Sequence, residues 1–437
     1  MTGDHLLGLV LVNLLFLAAG LGVTGASGWW RGVAGLRGAL GLSYLAGVAA
    51  FGITAQLLYV CGAAMVVWQV VLVCAVFALA TIRALRRPAG EMVLQRSRQP
   101  FRFAALGIVL MAALIGVDLW YQPLWAYDSW TFWTPKAHAL WALHGLDAGW
   151  FTQADLTSRD YPILLPSVEA AGFHVTGYET SLLDIQSLFF AVAFLRAIYE
   201  ACAGRARSAL LWAPLAMLVV APSLTDQLAA AEADVPVAAL FGASGLAAAL
   251  WLRERHRGSL CVAAVLAAGA SATKVEGLVF TAALFITLAA VARAATPLLA
   301  GVAAVVAGVL PWRVWLELHH IPNQGSYSRL GAGYLANHVA RVPESAAYLL
   351  VKMLDPRAWL LLVPLFLFVL WRAWLERRSP LPAFAAGTFV LAFGGLVLAY
   401  WSTRLGLHYQ LTTSARRVVT GIVFFGAALT PLLAEAA

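Results

Sequence analysis

The chain has 437 residues, of which 62% are hydrophobic and only 11% charged, and its mean hydropathy is +0.81. A soluble domain carries about 25% charged residues, so this composition excludes a water-soluble globule. The net charge of +8 implies no nucleic acid, because Lys and Arg gather in the loops that a membrane protein keeps in the cytoplasm.

Cysteines and short motifs remove the common soluble chemistries. Cys61, Cys74, Cys202 and Cys261 lie in apolar stretches without a CxxC pair and read as small buried hydrophobes. No HExxH, P-loop or GxSxG pattern occurs. The first Lys or Arg is Arg31, so residues 5–25 lack the basic start of a signal peptide and read as a retained span.

A membrane span needs about 20 apolar residues. Such runs predict an all-α polytopic membrane protein of about thirteen transmembrane helices: 5–25, 39–60, 62–82, 103–120, 182–201, 208–222, 235–252, 260–273, 277–292, 297–316, 358–374, 382–400 and 417–434. Residues 1–102 make an N-terminal group of helices with a basic loop, and 103–437 a larger transmembrane module. Arg83, Arg86, Arg87, Arg96, Arg98 and Arg102 form the densest basic cluster, which orients that loop to the cytoplasm. Alternation then places Arg31/Arg37, Arg205/Arg207, Arg253/Arg255/Arg257, Arg293 and Arg372/Arg377/Arg378 inside as well. The loops 121–181, 317–357 and 401–416 fall outside. Within the first of them, Pro135–Leu146 and Pro162–His174 are amphipathic and expected to lie along the membrane surface.

The outer side collects acids and bases. All three lysines (Lys136, Lys274, Lys352) belong there, with Arg416 and Arg417, beside Asp128, Asp160, Glu169, Glu232, Asp234 and Glu276. Asp128 stands among Trp125, Tyr127, Trp130 and Trp133, and a carboxylate partly desolvated by rings is a better base than a free one. Its other reading is as the cap of a helix beginning at Ser129. Asp160 precedes Tyr161-Pro162 and reads as a second acid, a metal ligand or a turn residue. Asp234 is placed to cap the helix that Pro236 helps to start. Lys274 and Glu276 interrupt two apolar runs, where ionisable groups default to function. His408 opens the stretch leading to Arg416 and Arg417. Two arginines at a helix start oppose the macrodipole, and an anionic partner such as a lipid phosphate resolves the conflict.

As an ordered set these motifs resemble the GT-C superfamily of membrane glycosyltransferases, in particular the bacterial relatives of protein mannosyltransferases and the aminoarabinose–lipid A transferases. The resemblance rests on Tyr127-Asp128-Ser129-Trp130 with Lys136, on Asp160-Tyr161-Pro162, on Ala233-Asp234-Val235-Pro236, on Lys274-Val275-Glu276-Gly277 and on Ser414-Ala415-Arg416, over roughly residues 100–430. It implies a GT-C-like fold in a bacterial inner membrane and an inverting transfer, on the extracytoplasmic face, from a polyprenyl-phosphate sugar donor to a hydroxyl on a glycan or lipid acceptor. It further implies Asp128 as the base, with Asp160 and Asp234 as the other candidate acids. Lys274, Arg416, Arg417 and Lys136 would hold the donor phosphate, and Glu232, Glu276, His408 and Trp130 would line the substrate site. It fixes no cofactor, and a divalent cation stays open. Two departures stand out. About three helices precede the one leading into the first large loop, where one is common, and the acidic pair often found in that loop is here Asp128 alone, followed by Ser129. The rival readings are a transporter or lipid-linked-sugar flippase, whose folds commonly show repeated halves and broken helices, and an assembly subunit without catalysis.

Overall fold

The structure, a computed structural model, describes residues 3–31, 39–85, 102–153, 157–203, 205–206, 208–321, 329–376 and 379–436. Arg37, Arg86, Arg87, Arg96, Arg98, Arg207, Arg377 and Arg378, which carry much of the orientation argument, lie outside the described residues. Within them the chain is all-helical, with nine helices long and apolar enough to cross a membrane.

These nine have the expected cause, apolar runs near the length of a bilayer core. They are Gly3–Ala26, Leu40–Val60, Ala104–Tyr121, Leu182–Cys202, Asp234–Glu254, Val275–Ala292, Ala295–Leu318, Leu381–Trp401 and Leu407–Glu435. A tenth exists only if a bent pair is taken together: Ala209–Val219 and Pro222–Ala229 meet at 46°. The straight span expected over 208–222 is therefore broken where Pro222 starts a new helix, since proline cannot continue the old one. The expected spans at 62–82, 260–273 and 358–374 correspond to the shorter helices Val67–Leu85, Arg257–Thr273 and Leu362–Glu376.

Packing ranks the helices. Asp234–Glu254 is buried along its whole apolar window, whereas only 11% of the window of Ala104–Tyr121 is covered; the first is the axis of the bundle and the second faces its surroundings. Close approach near the N-terminus depends on glycine. A Cβ on Gly20 would lie 1.6 Å from the Ser43 carbonyl oxygen, so Gly3–Ala26 and Leu40–Val60 pack backbone against backbone. Cross-bonds tie these first helices to later ones: the Glu200 carboxylate accepts from the Gly41 amide at 2.9 Å, and Gln56 Nε2 donates to the Gly308 carbonyl at 3.0 Å.

Three expectations change. The stretch Pro162–His174 forms the helix Leu164–Thr176, whose residues from Leu164 to Phe173 are all buried; it is an internal helix, packed on Gly3–Ala26 and Leu40–Val60, not a surface one. Arg416 and Arg417 do not start the last helix. They close the amphipathic helix Leu407–Val418, which extends through residues expected as loop because Leu407, Leu411, Ala415 and Val418 form one apolar stripe. Two of the four cysteines, Cys61 and Cys261, are exposed.

The ends of the bundle are distinct. Arg205 Nε donates to Glu254 Oε1 at 2.9 Å, joining the C-terminal ends of two spans. Asp234 starts the same axial helix of 21 residues, about 30 Å from its last residue at 1.5 Å per residue. At that Asp234 end, Tyr334 Oη and Arg341 Nη1 both donate to the Thr403 carbonyl, at 2.5 and 2.6 Å. Parts of the second and third expected outer loops thus meet on the bundle.

Candidate functional site

Residues far apart in sequence converge at the Asp234 end. Arg417 Nη1 donates to Asp128 Oδ2 at 2.7 Å, across 289 positions of chain. The same nitrogen donates to Glu232 Oε2. Two residues on, Asp234 Oδ1 accepts from Lys274 Nζ at 2.6 Å, and Lys274 Nζ lies 3.6 Å from Glu276 Oε1. Asp128, Glu232, Asp234 and Glu276 thus surround two cations, Arg417 and Lys274.

Local structure sets each side chain. Asp128 leads into a π-helical turn, Ser129–Trp133, and makes no capping hydrogen bond, so its carboxylate is left free for Arg417. Such turns concentrate at functional sites. Ser129 Oγ anchors the turn on the carbonyl of Ala230, beside Glu232. Ala233, not Asp234, occupies the cap position of the axial helix, which turns Asp234 inward toward Lys274. Lys274 is the single extended residue between Arg257–Thr273 and Val275–Ala292. That sharp reversal needs glycine at 277, because a Cβ there would lie 1.9 Å from the Ala270 carbonyl oxygen.

The four rings expected around Asp128 differ in exposure. Trp125, Tyr127 and Trp130 are exposed and Trp133 is buried. Trp130 donates its Nε1 to the Leu124 carbonyl at 2.5 Å. Desolvation is strong at Glu232. Burial pushes its carboxyl up to about 7 against the pull of Arg417, and the charges of Asp234 and Asp128 add to the rise.

The remaining residues divide. Lys136 is fully buried, and its Nζ donates to the carbonyls of Ser158 at 2.7 Å and Tyr161 at 3.0 Å. Burial pulls its ammonium down to about 7, partly offset by Asp160. Lys136 therefore pins the 158–161 turn with its head group already engaged. Asp160 sits at the same turn, 3.9 Å from Arg313, with its carbonyl bonded by Trp312. Arg416 points away from Arg417 and pairs with exposed Asp226 at 2.8 Å. His408 is exposed at the far end of that helix. Structure adds Tyr400, which the sequence offers only as one more interfacial ring. Its hydroxyl bonds Ser414 Oγ at 2.8 Å, within electrostatic reach of Glu276, Lys274 and Arg417.

Among the described residues no group of three His, Cys, Asp or Glu side chains is arranged to hold a metal ion. The acids of the ionic chain face basic side chains. Comparison with protein-family models, curated proteins and solved structures finds no match to this chain.

Proposed function

We propose that the protein is a GT-C-like inverting glycosyltransferase, with thirteen helices in the membrane once the shorter ones are included. It moves a sugar from a polyprenyl-phosphate donor to a hydroxyl on a glycan or lipid acceptor at the extracytoplasmic face of a bacterial inner membrane. One observation carries the reading: Arg417 holds two carboxylates with a single nitrogen, while its buried Nε has no hydrogen-bond partner. A guanidinium fork with an open donor suits a phosphate oxygen.

The chemistry follows from an exchange of partners. An entering donor phosphate takes the guanidinium, and Asp128 and Glu232 are released from it. Asp128, the more accessible of the two carboxylates, then accepts the proton of the acceptor hydroxyl. That oxygen forms a bond to the anomeric carbon from the face opposite the phosphate, and the carbon–oxygen bond to phosphate breaks. Polyprenyl phosphate leaves with both electrons, its charge met by Arg417 and Lys274. The leaving group needs no proton, so a base and two cations suffice.

The two arginines test the site. Arg417→Gln is expected to weaken donor binding by about 1.5–3 kcal/mol, the contribution of a charge-assisted hydrogen bond. Arg416→Gln should change it little, since its partner Asp226 is an exposed residue and such pairs contribute about 0–1 kcal/mol. Binding of a polyprenyl-phosphate sugar to the purified protein measures both. Equal losses in the two variants would remove Arg417 from its assigned role.

Orientation has its own test. A cysteine replacing Gly145 should react with an impermeant thiol reagent in intact cells, and one replacing Gly90 should not, in a background lacking exposed Cys61 and Cys261. Gly90 lies outside the described residues, but the labelling needs only its side of the membrane. Labelling at Gly90 alone would turn the site to the cytoplasm.

A further inference from the structure

Three arginines gather where the loops 317–357 and 401–416 meet, just after Tyr400. The backbone there is fastened from both sides. The Arg329 amide donates to the Ser402 carbonyl at 2.7 Å, Trp401 Nε1 to the Leu335 carbonyl at 2.9 Å, and Tyr334 Oη to the Thr403 carbonyl at 2.5 Å. Tyr334 is the centre of the group. Arg341 Nη1 donates to its hydroxyl at 3.2 Å and to the Thr403 carbonyl at 2.6 Å, and the Arg329 guanidinium carbon lies 5.8 Å from its ring centroid. Arg404 follows Thr403 directly and is exposed.

The fold uses only part of this charge. Arg341 fastens the two loops through Nη1, which leaves its Nε and Nη2 without a bond to the described residues. The guanidiniums of Arg329 and Arg404 make no hydrogen bond to the described residues, and none of the three arginines forms an ion pair with a described carboxylate. Residues 322–328, outside the described ones, contain no Asp or Glu, and neither do residues 401–416. Two guanidiniums fastened around one tyrosine, with a third beside them and no acid to balance them, call for an anion from outside the chain. Guanidinium forks match phosphate oxygens.

Apolar neighbours indicate where that phosphate comes from. Leu330, next to Arg329, is 65% exposed, and Val339, two residues before Arg341, is 59% exposed. The helix Arg341–Leu354 turns Ser345, Leu349 and Met353 inward but leaves Val351 exposed. Basic and apolar groups exposed together suit the boundary of a bilayer, where phosphates lie over acyl chains. A soluble phosphate would gain nothing from the apolar groups. We propose that Arg329, Arg341 and Arg404 bind the phosphate headgroup of an anionic membrane lipid. The site does not rest on the transfer reaction.

The test uses the full chain, stripped of lipid in a neutral detergent, with thermal unfolding followed by tryptophan fluorescence and bound lipid counted by native mass spectrometry. Short-chain phosphatidylglycerol should raise the midpoint saturably and stay bound at one per chain. Phosphatidylcholine with the same chains, and inorganic phosphate, should each bind roughly tenfold or more weakly. Arg329→Gln/Arg404→Gln removes two guanidiniums on which no hydrogen bond of the described fold depends. It should therefore unfold like the lipid-free wild type and bind phosphatidylglycerol roughly tenfold or more weakly, as the loss of charge-assisted bonds requires. Arg357→Gln, at an exposed arginine in the same loop, and Arg417→Gln should both keep the lipid. Equal binding of phosphatidylcholine would mean that the chains alone hold it, and equal binding of inorganic phosphate would mean a site for a free anion; either overturns the proposal. So does unchanged binding in the double variant, or an equal loss in Arg357→Gln, which would reduce the effect to diffuse surface charge. Loss in Arg417→Gln alone would move the lipid to the ionic chain and leave this cluster empty. Transfer is not read in any arm, so failure here leaves the transferase reading untouched, and loss of transfer activity leaves this one untouched.

Discussion

Asp128→Asn is expected to fold, to bind the donor lipid nearly normally and to lose turnover by roughly 10²–10⁴-fold, the usual contribution of a general base. Asparagine keeps the size of the side chain and removes only its capacity to accept a proton. A capping role would predict no loss, since Asn and Asp cap comparably, and the Asp128 side chain makes no capping bond to begin with. The neighbouring acid gives the competing assignment. Glu232 sits at about 7, near the pH where a base works best. If Glu232 acts instead, Glu232→Gln abolishes transfer while Asp128→Asn retains it, and the wild-type rate rises with pH through about 7. Asp160→Asn and Asp234→Asn belong in the same assay. Full transfer by all four variants would end the carboxylate-base mechanism.

The raised carboxyl also affects stability. A folded-state value near 7 exceeds the ordinary one near 4.3, so the folded chain binds the proton more tightly than the unfolded chain. This group's contribution is therefore present at low pH and is lost as pH rises from about 4.3 to about 7. Glu232→Gln should flatten that slope.

The largest effect on stability is expected from Lys274→Met. Lys274 and Asp234 have side chains only 8% and 3% exposed, so removing the ammonium leaves a buried carboxylate uncompensated. Breaking such a pair costs about 3–5 kcal/mol. Restoring balance with Lys274→Met/Asp234→Leu should recover most of the unfolding midpoint, because an apolar pair of similar volume is often as stable as the ions it replaces. Activity should not return with it, since the cation proposed to meet the leaving phosphate is gone. A single variant as stable as the wild type would mean that water reaches Asp234, and that the site is wetter than its burial indicates.

By itself the sequence determined the environment of this protein. Apolar runs long enough for a bilayer allow nothing but helices there, because every backbone amide must be satisfied internally. The same reading isolated Asp128, Glu232, Asp234, Lys274, Glu276 and Arg417 as charges in places where charge is costly. Only the tertiary structure decided their partners. Asp128 and Arg417 are 289 positions apart, and no local pattern records which helix ends meet. It also decided between neighbours: Arg416 and Arg417 are adjacent in sequence, but about 100° apart around a helix of 3.6 residues per turn, so one faces Asp226 and the other the acids of the site. Glu169 makes the same point in reverse. Its helix reads as amphipathic and superficial, yet Gly3–Ala26 and Leu40–Val60 cover it. Burial depends on what else packs there, and a helix's own residues do not specify that.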